Sequence, residues 1–229
     1  DPHDRAIRQA GIPIDLPPSD AHARIQQMQP VGDGSGRLAI SDLRGVLYLA
    51  NADGSELAPY LDFEDDAGFA AAVFPNEAGL LGFAFHPGFA DKSSAGYGKF
   101  YTASSATSTS GKATHVSDMA YSHHSVIKEW TTKNPGARRF AGTSRELIRV
   151  GQFAQSHNIG TLAFNRHAPH AAERNLLYVC MGDGGSAYDP NDNGQTRATV
   201  LGAILRIDPL GGGGKSYTIP ADNPFAGEA

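Results

Sequence analysis

The sequence predicts an all-β protein made of small antiparallel sheets, and three observations point there. Glycine (27 residues) and proline (14) are abundant without a collagen-like period or a low-complexity run, which reads as many tight turns. The apolar residues fall in short runs bounded by turn chemistry, the pattern of strands and not of amphipathic helices. These runs also group into successive units at about 23–62, 77–151 and 157–220, each with room for four strands. Repeated four-stranded sheets arranged radially make a β-propeller, which closes its ring with about four to eight blades. This chain supplies about three to four, so it is expected to be part of a ring.

Each element has its own warrant. Residues 1–22 are polar and interrupted by Pro13, Pro17 and Pro18, which predicts an extended lead-in. The partial propeller, 23–229, then opens with strands at Arg24–Gln29, Arg37–Ile40, Val46–Ala50 and Leu57–Leu61, with turns at Gly32–Gly36 and at Asn51–Gly54. An acidic stretch from Asp62 to Asn76 reads as a solvated loop, with room for a short helical turn at Ala70–Ala72. The second unit has strands at Gly79–Phe85, Lys99–Thr102, Ser125–Trp130 and Glu146–Val150, and its Ser104–Ser117 stretch reads as too polar to pack. The third has strands at Thr161–Phe164, Asn175–Cys180, Val200–Ile207 and Ser216–Ile219.

Charge and composition exclude several functions. A net charge of −5 leaves no basic footprint for nucleic acid or an anionic membrane surface. No run approaches the roughly 18 apolar residues of a membrane span. The single cysteine, Cys180, has no partner for an internal disulfide and lies among apolar neighbours, as a buried thiol would. The first residues, Asp1–Arg5, are unlike the hydrophobic core of a signal peptide.

Among the histidines, His157 stands alone just before an apolar strand, where a satisfied loop residue is the ordinary reading and a general base the sharper one. His86 belongs to a His-Pro turn and is expected to make a structural hydrogen bond. His123 and His124, adjacent in a polar segment, lack the spacing of metal ligands on one element and are expected at the surface. Asp189–Gly194 matches the first half of an EF-hand loop, but the twelfth position, which should be a bidentate Glu, is Val200, so a turn rich in Asx side chains accounts for it better. No metal ligands are assigned.

Three blocks in order carry more than a fold: Glu77–Phe89, His157–Gly160 leading to Leu177–Gly185, and Leu201–Pro209 with Ile219–Phe225. Together they resemble the soluble quinoprotein glucose/sorbosone dehydrogenases, the PQQ-dependent aldose sugar dehydrogenases. The resemblance implies a six-bladed propeller with PQQ at the mouth of the central channel, a calcium ion on the quinone, an aldose above it, an external electron acceptor, and a periplasmic or extracellular location. It implies oxidation of the sugar at C1 to the lactone, with His157 as the catalytic base and Glu77, Asn158 and Asp183 beside the cofactor. Glu77 stands where the family commonly has a glutamine, and Ser156 where an aspartate often precedes the histidine. The calcium ligands and the Arg and Asn that approach PQQ belong to later blades, so a chain ending at Ala229 is expected to be inactive alone, with open sheet edges. The alternative class is a non-catalytic propeller that binds a protein or a glycan.

Overall fold

The computed structural model describes residues 24–64, 66, 68–70, 77–116 and 122–227. The expected lead-in and the helical turn at Ala71 and Ala72 lie outside them. Three antiparallel sheets follow one another along the chain. The first holds β1 (Ile25–Pro30), β2 (Leu38–Asp42), β3 (Val46–Ala50) and β4 (Ala58–Asp62). The second holds β5 (Leu80–Phe85), β6 (Lys99–Ala106), β7 (His123–Thr132) and β8 (Gly142–Gln152). The third holds β9 (Ile159–Phe164), β10 (Leu177–Met181) and β11 (Ile204–Ile207), with a single helical turn, α1 (Ala171–Arg174), between β9 and β10. Each sheet is a meander of neighbouring strands.

The sheets stack face to face, and the period of two along the strands of the second sheet shows why. Phe83, Phe85, Phe100 and Trp130 belong to a core shared with the first sheet. Ala84, Tyr101, Ala103 and Ile127 belong to a core shared with the third. Successive side chains point to opposite faces, so a strand apolar at every position, such as β5, is one covered on both. The first of these cores is aromatic: Phe100 stacks on Phe85 at 5.1 Å and on Trp130 at 6.2 Å between centroids, and the Trp130 indole donates to Thr102 Oγ1 at 2.8 Å.

The leading strands converge where the sheets meet. A side chain at Gly82 in β5 would come within 2.5 Å of the Gly160 carbonyl oxygen in β9. Gly82→Ala is therefore expected to destabilise the protein by about 1–3 kcal/mol, read as a lower urea midpoint with an unchanged m-value.

Several expectations change on contact with the structure. Ser104, Ser105 and Ala106 are buried in β6; a polar run can be core when its strand lies between two layers and its backbone is paired. His123 and His124 are each only 1% exposed, because adjacent residues of the doubly covered β7 enter opposite interfaces. β11 begins at Ile204 and not at Val200, since Gly202 takes φ +69 and turns the chain. The expected strand at Ser216–Ile219 is reduced to one bridge, Thr218 to Asp208, closed by bonds of 2.9 and 3.0 Å.

His86 makes the structural bond expected of it, its Nδ1 accepting from the Gly88 amide at 3.0 Å. Burial first, and the nearby Arg166 charge second, push its imidazole down from 6.5 to about 4. The unfolded chain thus takes up this proton below 6.5 while the folded one resists until about 4, so stability falls as pH drops through that window. The linkage is worth about 3 kcal/mol, and a urea series from pH 7 to pH 4 is expected to show most of it removed by His86→Phe.

Candidate functional site

The site gathers at the N-terminal ends of the leading strands. A cavity of about 190 Å³ is lined there by Gln26, Leu43, Leu81, Gly160, Glu77 and Asn158. A larger one of about 300 Å³ lies at the opposite ends of the same strands, against Gln29, Phe85, Phe164 and Arg166. Volume favours the second, which His167 also lines; Glu77, whose carboxylate holds the His157 amide, lines the first.

His157 precedes β9 in a left-handed conformation, φ +52, which a residue with a β-carbon holds only when its surroundings insist. Its amide donates to Glu77 Oε2 at 2.9 Å, and its Nδ1 faces Asp183 Oδ1 at 2.7 Å. The side chain is 48% exposed, and no hydrogen bond to Nε2 is present among the described residues.

Asp183 reaches that position through strand register. β9 and β10 pair antiparallel with an irregularity between Val179 and Met181. Continuing the Ile159–Met181 pairing beyond the strand ends sets His157 against Asp183, whereas the register before the bulge would have set it against Gly184. Gly182 completes the approach, since any side chain there would meet the His157 carbonyl oxygen at 2.1 Å. Burial alone would raise the Asp183 carboxyl, but the Gly185 amide, donating at 3.0 Å, and the His157 ring outweigh it and hold the group below the ordinary Asp value. An ionised Asp183 is acceptor only, so the proton between the two rests on His157 Nδ1, and in the neutral imidazole the lone pair is then on Nε2.

The remaining expected residues take different parts. Glu77 stands at the rim with its carboxylate on the His157 amide and its carbonyl oxygen on Asn158 Nδ2 at 2.7 Å. Asn158 is 9% exposed; its Nδ2 also reaches the Gln155 carbonyl at 3.3 Å and its Oδ1 meets His123 Nε2. Its amide is engaged within the chain, which gives it an anchoring part at the wall of the cavity. Ser156 offers no carboxylate to the histidine; Asp183 does so from across the hairpin. The Asp189 loop is closed by its own backbone, Asn193 N and Gly194 N donating to the carboxylate at 2.9 and 2.8 Å. Among the described residues no group of three or more His, Cys, Asp or Glu side chains could hold a metal ion.

The family model for glucose / sorbosone dehydrogenase matches residues 24–229. The chain belongs to that family. Members of known structure share its fold: one glucose dehydrogenase superposes with a TM-score of 0.61 at 18% identity, over 90% of this chain and 52% of its own. Another gives 0.55 at 20% identity, over 86% and 46%. The three stacked sheets are thus part of a β-propeller of the quinoprotein glucose dehydrogenase type. Among curated proteins the chain is similar to the HIPL1 protein of Arabidopsis thaliana, 27% identical over 238 residues, 86% of this chain and 32% of that protein. It is also similar to the Hedgehog-interacting protein of Homo sapiens, 29% identical over 207 residues, 86% of this chain and 27% of that protein. The chain spans about a third or less of the length of these relatives.

Proposed function

We propose that the chain carries the proton-abstracting part of an aldose dehydrogenase site, on three successive blades of one partial propeller. The observation that carries the reading is the 2.7 Å pairing of His157 Nδ1 with Asp183, on a half-exposed ring whose neighbours Glu77 and Asn158 line the cavity at the strand ends. Such a pairing fixes ring orientation and tautomer and makes Nε2 the better base. The anomeric hydroxyl of an aldose gives up its proton to Nε2 as C1 is oxidised toward the lactone. Glu77 and the loop that Asn158 anchors keep the base in place.

The cofactor of this reading is PQQ with calcium, and PQQ would supply the hydride acceptor when bound. The residues present fit the base end of such a site and not its clamp: PQQ is a polycarboxylate, and no Lys or Arg among the described residues lines this cavity. Only the proton step is therefore assigned to this chain. An external electron acceptor and a periplasmic or extracellular location go with the reading; among the described residues no helix is long and apolar enough to cross a membrane.

The test is to supply PQQ, calcium, a panel of aldoses and an artificial electron acceptor to the full-length gene product. Dye reduction that depends on PQQ supports the reading; no quinone spectrum and no reduction would remove it. A second reading, a ring that binds another protein, is favoured by the likeness to a relative named for interacting with Hedgehog. It predicts partner capture that His157→Ala leaves intact.

A further inference from the structure

We propose that His123, on the neighbouring sheet, is a positioning residue for His157; the inference rests on reading His157 as the base. His123 is buried in β7 and its Nε2 meets Asn158 Oδ1. The orientation of that amide is fixed on the other side, where Nδ2 faces two carbonyl oxygens, those of Glu77 at 2.7 Å and Gln155 at 3.3 Å. The atom turned to His123 is then an oxygen, which only accepts, so His123 Nε2 carries a proton and donates it. On the far side of the ring, Nδ1 lies 2.8 Å from Ser122 Oγ.

Two residues further along β7, on the same face, Ser125 Oγ accepts from the Ile159 amide at 3.3 Å. β7 thus grips both residues that follow His157, one through a ring and one through a hydroxyl. From the other direction Glu77 holds the same segment, its carbonyl oxygen on Asn158 and its carboxylate on the His157 amide. Between these grips His157 sits at φ +52, the kind of conformation that persists only where the surroundings over-determine it. His123 reaches the base only through Asn158, which is why its part is positioning.

The test compares His123→Phe, which keeps a ring but loses the donor, with His123→Gln, which keeps an N–H to offer Asn158, in the full-length protein. Two quantities are read: hydrogen exchange at the His157 amide, and steady-state aldose oxidation with an artificial acceptor. In His123→Phe the amide is expected to exchange about tenfold faster, and kcat to fall about tenfold with KM unchanged; His123→Gln is expected to restore most of both. Asn158→Ala cuts the same link from the loop side, so it yields the exchange result even if His123→Phe does not fold. Exchange at His157 unaltered in His123→Phe or in Asn158→Ala, or a Gln variant no better than Phe, overturns the proposal. Should the natural protein oxidise no aldose, the base reading falls while the exchange measurement still decides whether His123 sets the conformation of His157.

Discussion

His157→Ala in the full-length protein, loaded with PQQ and calcium, is expected to lower dye-linked aldose oxidation by about 10²- to 10⁴-fold, the range over which a positioned general base acts. Folding is expected to change little, since the ring is half exposed and the one bond it makes among the described residues goes to the part-exposed Asp183 carboxylate. Asp183→Asn is expected to fall in the same direction by a smaller factor: an amide can still accept from Nδ1–H, but it no longer carries the charge that favours the imidazolium formed on proton transfer. Turnover insensitive to both substitutions would remove the role given to this pair while leaving the fold untouched.

The largest effect on stability is expected at Glu129. Its side chain is 2% exposed and is met by Lys99 Nζ at 2.7 Å, Arg145 Nε at 2.9 Å and the Tyr101 hydroxyl at 3.0 Å. Arg145 carries the link onward, donating to the carbonyl oxygens of Pro209 and Ser216, each at 2.8 Å. One carboxylate thus ties the second sheet to the segment that follows β11. Glu129→Ala leaves a buried phenol and two cations without their partner and is expected to cost about 3–5 kcal/mol, measured from urea unfolding. The lower end is the better expectation, because Lys99 and Arg145 are 21% and 38% exposed and regain water.

The same group gives acid sensitivity a direction. Burial alone would raise the Glu129 carboxyl, but its bonds to Arg145 and Lys99 bring it below the ordinary Glu value. The unfolded chain is protonated first as pH falls, so this contribution is complete above the ordinary value and is lost on acidification through the folded one.

Much of the fold was legible because β-structure writes itself locally. Turn residues bracket the strands, and the continuous apolarity of β5 is that of a strand covered on both faces. Two of the misreadings share one cause. Ser104–Ala106 and His123–His124 are polar in composition, yet they are core because the strands that carry them lie between two other sheets, and neither a run of serines nor a pair of histidines reveals what will be stacked on it. His157 could be singled out from its place before an apolar strand and from the blocks around it. Its partner could not: the bulge between Val179 and Met181 moves the register by one residue and so decides whether Asp183 or Gly184 faces the ring, and its mark on the sequence, the buried Ile159 and Leu162 three residues apart, does not say which residue it sets opposite the histidine. The motif singles out Asn158 by position, but not the bonds its amide makes, one of which runs to a histidine that reads from composition as a surface residue.

The central claim is that Asp183 holds the His157 proton on Nδ1 and leaves Nε2 as the basic nitrogen, and ring nitrogen resonances of ¹⁵N-histidine-labelled protein test it most directly. Above the pH at which the ring loses its second proton, His157 is expected to show the proton on Nδ1 and an unprotonated Nε2, with that preference weakened in Asp183→Asn. A proton residing on Nε2, with ring signals unmoved by Asp183→Asn, would contradict it.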